Sequence, residues 1–255
     1  MNSLAEFIDR SERLVALTGA GCSTESGIPD YRSPGGAWTQ HKPVYYQDFI
    51  RSEDVRRSYW ARSYQAWPRF AAARPNAAHH AFAELERSGR LDFLITQNVD
   101  ALHRQAGNTR VLELHGCNQT VVCLQCRTAF ARADIQRRGE EIPACEGCGG
   151  VLKPNVVFFG ENVPREKGSL AMEHLDAADA LLVAGSSLIA WSGFRFVKRA
   201  AERNIPIAIV NIGPTRADAL AAFKIEKKCS EALLEAIADG RWSAHTAASA
   251  SQIFP

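Results

Sequence analysis

The chain has 255 residues, 46% of them hydrophobic and 23% charged, with a formal net charge of +2. That length suits one large domain, or a large one with a small insert, and the balance is that of a globule able to bury a sizeable core. Without a clustered basic stripe, a nucleic-acid surface has no support. No apolar run approaches the ~18 residues needed to cross a bilayer, so no membrane partner is expected.

The N-terminus, MNSLAEFIDRSERLVALTGAG, carries acids early and reaches its first apolar run almost at once. It has neither a signal-peptide core nor an acid-free transit segment, and a cytoplasmic location is expected. LVALT (14–18), LDFLIT (91–96), VLELH (111–115), ALLVAG (180–185) and IPIAIVNI (205–212) read as buried strands. Between them NAAHHAFAELERSG starts a helix with Asn76 as N-cap and stops at Gly89, and helices are also predicted from Trp191 and from Cys229. Strand–helix alternation predicts an α/β class: a doubly wound, Rossmann-like parallel sheet with a smaller inserted helical and zinc-ribbon domain. The expected division gives 1–34, 76–116 and 152–242 to the sheet domain, 35–75 to an aromatic-rich helical module and 117–151 to a zinc ribbon. Residues 243–255 form a flexible tail.

Cys123-x2-Cys126 and Cys145-x2-Cys148 lie eighteen residues apart, the spacing of a four-cysteine zinc ribbon. Four thiolates close the tetrahedron, so the expected zinc ion is structural and cannot activate water. A redox CxxC is the alternative, and it rarely comes as a matched double pair. Cys22, Cys117 and Cys229 read as small semi-buried hydrophobes. His115, two residues before Cys117, is then free for other work.

The segment LVALTGAGCSTESGIPDYR (14–32) runs a strand into a glycine turn, where Gly19 and Gly21 permit close approach of backbone to a pyrophosphate. Taken alone this is weak: Thr24 stands where the dinucleotide fingerprint has its third glycine. Further strand ends are polar as well: TQNVDALH with Gln97, Asn98 and Asp100; AGSSL with Gly185, Ser186 and Ser187; and VNIGPT with Asn211, Ile212 and Gly213. Ligands of open α/β sheets bind at the carboxyl ends of strands, and these ends together describe one crevice sized for a dinucleotide. No acid follows the glycine loop at the distance of a dehydrogenase ribose clamp, which disfavours hydride transfer.

At this point the sequence resembles the sirtuins, the NAD-dependent protein lysine deacylases, over nearly all of residues 5–240. GAGCSTESGIPDYR is similar to their GAGxSxxSGIPDFR loop, TQNVDALH to TQNID(x)LH and ELHG to the catalytic LHG. The two CxxC pairs are similar to their zinc module, and GSSL and NIG to their nucleotide-contacting strand ends. Finer features (YWAR, HGC, LKPNVVFFGENV, SGFRF, NIGPTR) resemble the class II branch, which includes a mitochondrial animal sirtuin; without a transit peptide, a bacterial cytosolic relative is expected.

The resemblance implies that NAD is consumed as co-substrate. The acyl-lysine carbonyl oxygen attacks C1′ of the nicotinamide ribose, nicotinamide leaves, and a histidine acts as base on the ribose hydroxyls while the acyl group passes to ADP-ribose. It makes His115 that base, with an ordinary imidazole pKa near neutrality, and places Asn98 on the ribose or a water. Asp100 falls by the nicotinamide pocket and Gln97 on the ribose hydroxyls. Gly19, Ala20, Gly21, Ser23 and Thr24 fall in the pyrophosphate loop, and Asp30, Tyr31 and Arg32 in the segment closing over the cofactor. Gly185, Ser186 and Ser187 meet phosphates, Asn211, Ile212 and Gly213 the adenine ribose, and Cys229 the adenine. Val157, Phe158, Phe159 and Gly160 pair with an acyl-lysine peptide. Acidic acyl groups are read in some relatives by Tyr-x-x-Arg; here those positions fall on Ser63 and Ala66, with Tyr59-x-x-Arg62 one turn earlier. Mono-ADP-ribosyl transfer, lipoamidase-type deacylation and non-enzymatic NAD sensing are the alternatives, and oligomeric state is left open.

Overall fold

The computed structural model describes residues 3–31, 36 and 42–240; the expectations for Arg32, Trp38 and the tail 243–255 lie outside them. In chain order the described strands are β1 (Leu14–Thr18), β2 (Phe93–Thr96) and β3 (Val111–Glu113), then β4 (Gly116–Cys123), β5 (Ala129–Ala131) and β6 (Leu152–Val156), and finally β7 (Ala180–Ala184), β8 (Ile207–Val210) and β9 (Phe223–Ile225). The helices are α1 (Leu4–Asp9), α2 (Tyr46–Arg51), α3 (Glu53–Ala72), α4 (Ala77–Arg87), α5 (Leu102–Ala106), α6 (Arg132–Arg138), α7 (Arg165–Asp176), α8 (Trp191–Glu202) and α9 (Cys229–Asp239).

Six strands form a parallel sheet in the order β3-β2-β1-β7-β8-β9. All residues of β1, β2, β7 and β8 are buried, because helices cover both faces. On one face Phe7 and Ile8 of α1, Phe82 and Leu85 of α4 and Leu233 of α9 pack on Leu14, Ala16, Leu94 and Leu182. On the other, Leu175 of α7 and Phe196 and Val197 of α8 pack on Val15, Leu17, Ile95 and Val183. The strand order reverses between β1 and β7, so a crevice opens there, above the carboxyl ends of the strands.

Asn76 caps α4 as predicted: its side chain accepts from the amides of Ala78 and His79, and His79 Nδ1 accepts from the Asn76 amide. The sequence reading overextended several strands: the ends at His115, Gly185 and Asn211 lie beyond the ladders, and β9 was not anticipated. The small antiparallel sheet β5-β4-β6 also reaches past residue 151, since Leu152–Val156 pairs with β4 rather than with the large sheet. At the junction Gly116 has φ +85°, and a Cβ there would run into the Asn155 carbonyl. Only glycine fits where the chain turns from one sheet to the other. The small module's apolar centre is modest: Trp60 from α3, Val121, Ile135 and Leu152, with Cys123 and Cys145.

Candidate active site and zinc module

β1 and β7 end against each other. The Gly19 amide donates to the Ala184 carbonyl (3.0 Å) and the Gly21 amide to the Gly185 carbonyl (2.8 Å). A Cβ on Gly19 would lie 2.7 Å from the Gly185 oxygen, and one on Gly21 2.8 Å from Gly185 Cα. Gly185 has φ +61°, and a side chain there would strike the Cys22 amide nitrogen. These glycines therefore let two strand ends touch each other. Their backbone also faces a cavity of about 940 Å³ lined by the ends of β1, β2, β7 and β8 and by the start of α9, within the usual size of a cofactor pocket.

Below the turn lies a buried polar network. Asn98 Nδ2 donates to the Gly19 carbonyl (3.1 Å) and to Ser23 Oγ (3.0 Å), while Ser23 Oγ–H donates to Asp100 Oδ2 (2.7 Å). Asp100 Oδ1 accepts from the Leu102 amide (2.9 Å). Burial raises the Asp100 pKa, opposed by the hydrogen bonds from Leu102 and Ser23. Ser23 and Asp100 are fully or nearly buried and do not line the cavity. They sit behind the loop, bonded to Asn98 and to the Leu102 amide. Asn98, Gln97, Thr24, Asp30, Tyr31 and Ala20 do line the cavity.

His115 follows β3 and faces the same cavity. Its Nδ1 lies 3.0 Å from the Gln97 carbonyl. A carbonyl only accepts, so Nδ1 carries the proton and Nε2 its lone pair. That lone pair accepts from Ser192 Oγ at 2.8 Å. Burial lowers the His115 pKa; the Gln97 carbonyl opposes this, and the cations Arg195 and Lys167 lower it further. The ring is thus held neutral more firmly than an ordinary imidazole, which revises the expected titration near neutrality. Gln97 itself is fixed by its Nε2 donating to Ser186 Oγ (2.8 Å).

The opposite wall comes from the small module. Val157, Phe158, Phe159 and Gly160 line the cavity with Tyr59 of α3. Phe158 packs against Tyr59 (5.0 Å) and Phe49 (5.2 Å). Part of this segment's main chain is used internally: the Val157 amide donates to the His115 carbonyl, the Phe158 amide to Glu161 and the Tyr46 amide to the Phe159 carbonyl. Arg62 Nε donates to the Ser58 carbonyl of its own helix (3.1 Å) and does not reach the cavity.

The Sγ atoms of Cys123, Cys126, Cys145 and Cys148 all lie within 4.8 Å of one another. Cys123 and Cys148 are 3.5 Å apart, and Cys126 and Cys145 3.6 Å. The edge of a tetrahedral zinc–thiolate site is about 3.8 Å, so the four cysteines are positioned for one zinc ion with no open ligand place. This module contributes Val156, at the end of β6, to the cavity wall, but no cysteine of the cluster lines it.

Ser186, Ser187, Gly185, Asn211, Ile212, Gly213 and Cys229 all line the cavity. Sequence reasoning missed Ser192, Lys227 and Lys228. A serine at the second position of a helix beginning just after a polar strand end was the available sign of Ser192. The lysines, flanking Cys229 at the start of α9, put positive charge beside the cavity, where phosphates are favoured.

The Sir2 family model matches residues 19–192. NAD-dependent protein deacetylase 2 of Bradyrhizobium diazoefficiens is 50% identical, the alignment covering 91% of this chain and 95% of that protein. The mitochondrial NAD-dependent protein lipoamidase sirtuin-4 of Bos taurus is 44% identical over 91% of this chain and 84% of its own length. A solved Sir2 structure with a p53 peptide and NAD+ superposes with TM-score 0.84 at 31% identity, covering 91% of this chain and 95% of that one.

Proposed function

The chain belongs to the Sir2 family and is an NAD-dependent protein-lysine deacylase, and from that premise we propose how its residues divide the work. NAD, when bound, supplies a ribose carbon from which nicotinamide departs. Gly19, Ala20, Gly21 and Thr24, with Gly185, Ser186 and Ser187, hold its phosphates between the ends of β1 and β7. Asn211, Ile212, Gly213 and Cys229 hold the adenosine half beyond β8, and Asp30 and Tyr31 cover it. Gln97 and Asn98 position the nicotinamide ribose. Ser23 and Asp100 are positioning residues, fixing Asn98 and the turn.

His115 Nε2 takes the proton from a ribose hydroxyl. The observation that carries this is the fixed tautomer: Gln97 pins Nδ1–H, and the Nε2 lone pair faces the cavity. Ser192 then serves as a placeholder donor whose hydroxyl gives way to the ribose. The acyl-lysine peptide lies along Phe159 and Gly160, beside exposed Tyr45, and its acyl chain passes Val156, Phe158 and Tyr59.

That wall is aromatic and aliphatic, and Arg62 is tied to its own helix. Uncharged acyl groups, including long ones, are therefore favoured over acidic ones. The similarity to a lipoamidase supports this breadth. A reducing cytoplasmic setting is supported by seven cysteines, none in a disulfide; among the described residues no helix is long and apolar enough to cross a membrane.

His115→Ala tests the assignment. Turnover of an acetyl-lysine peptide should fall ~10²–10⁴-fold, while NAD affinity by calorimetric titration changes by less than about threefold. Full turnover in the variant would remove His115 from the base role.

A further inference from the structure

Away from the crevice, α3 meets the zinc module at Arg132, the first residue of α6. This arginine is fully buried. Its Cζ lies 4.8 Å from the Trp67 ring centroid, 5.2 Å from Tyr64 and 5.6 Å from Trp60. Nη2 donates to the Ser63 carbonyl and hydroxyl, both at 3.2 Å. Nε and Nη1 have no partner, and neither have Tyr64 Oη, Trp60 Nε1 and Gln136 Oε1. Five of the twelve buried, unpartnered side-chain polar atoms among the described residues thus belong to these four residues.

The rings satisfy the faces of the guanidinium by cation–π attraction, but its N–H bonds lie in the plane and require acceptors. The titratable groups acting on Arg132 are the phenols of Tyr64 and Tyr59, both held protonated by burial; no carboxylate is among them. The zinc-site sulfurs bond to one another and to Gln125, Thr128 and the Cys126 amide instead. A buried charge without a counter-ion costs several kcal/mol, and clustered unsatisfied donors mark a missing water or ion. These residues carry four unpartnered donor atoms and a single unpartnered acceptor. A water molecule would add two more donors and leave the charge unbalanced, whereas a bare anion accepts from several N–H and O–H groups and neutralises the cation.

We propose that the Arg132 cage holds a small monovalent inorganic anion, chloride under ordinary solution conditions. The ion bridges α3 to α6 and so seats the zinc module on the helix whose Tyr59, one turn before Ser63, walls the crevice.

Crystals of the full chain soaked in sodium bromide, with data collected at the bromine edge, should show an anomalous peak within hydrogen-bond distance of Arg132 Nε or of Arg132 Nη1. In parallel, thermal unfolding at constant ionic strength should be compared in sodium chloride and sodium gluconate. An anion at ten times its dissociation constant raises the folded-to-unfolded ratio about elevenfold, so the melting temperature should be higher in chloride. Arg132→Met, which keeps the stem, should erase that difference. Density at the cage without an anomalous signal, or bromide bound only elsewhere, overturns the proposal. So does equal melting of the unaltered chain in the two salts. Both readouts on the unaltered chain stand even if the variant does not fold.

Discussion

Burial depresses the pKa of three histidines, half-buried His115, which faces the cavity, and fully buried His79 and His103 behind it. His115 is neutral by desolvation and carries its lone pair on Nε2. His103 accepts or donates at Thr18 Oγ1 (3.0 Å), and its ring packs at a tilt, 4.7 Å from that of His79, which touches Ser23 Oγ at 3.4 Å. Burial and the neighbouring His80 push His79 down to about 4, and burial lowers His103 as well. A depressed histidine pKa in the fold means that the unfolded chain binds more protons as the pH drops. The stability is therefore fully present above about pH 6.5 and is lost progressively towards pH 4; His79 alone accounts for about 3 kcal/mol across that window. Urea unfolding from pH 7.5 to 5 should show this decline, and His79→Gln should flatten it. A flat profile in the unaltered chain would mean these rings are solvated. His115 was legible in the sequence through the resemblance of ELHG to the sirtuin motif; the tautomer was not, because Gln97 and Ser192 reach the ring only through the fold.

At the scale of elements, the crevice depends on two strand ends approaching without side chains. Gly185 sits at positive φ with the Cys22 amide where its Cβ would be. Gly185→Ala is expected to cost about 2 kcal/mol or more, from backbone strain and from forcing β1 and β7 apart, and to weaken NAD binding at least tenfold. Unchanged melting and affinity would contradict the packing described. The glycines themselves were legible in the sequence, but as phosphate contacts; their packing on each other depends on β1 and β7, 160 residues apart, becoming neighbours. The zinc module is the second such element. Its apolar centre is small, and so the metal supplies much of its folding energy. Chelation, or Cys145→Ser, should release zinc, expose Trp60 fluorescence to water and reduce turnover without altering the pH dependence of what remains. Retained metal content and stability in Cys145→Ser would refute a structural site.

For the whole molecule, alternating apolar runs and amphipathic helices were enough to forecast a doubly wound sheet, since strands buried on both faces leave a nearly continuous hydrophobic signature. What could not be read was where the small sheet joins it. Leu152–Val156 falls by sequence in the sheet domain, and only its pairing with β4 assigns it to the zinc module. Nor could the aromatic wall be placed: Tyr59, Phe49 and Phe158 converge from segments about a hundred residues apart, and the packing of α3 against the small module alone brings them together. The crevice is consequently walled by both modules, with polar strand ends on the large sheet and aromatic groups on the small one. That arrangement predicts a catalyst tolerant of the acyl chain and selective against negative charge at its end.

Nicotinamide release tests the whole account most directly. The chain is incubated with NAD and a set of lysine peptides carrying acetyl, propionyl, lipoyl, biotinyl and succinyl groups, and nicotinamide and acylated ADP-ribose are quantified by mass spectrometry. Stoichiometric formation of both products from one or more uncharged acyl peptides, with the succinyl peptide slowest, is the predicted result; release of neither product from any peptide would contradict it.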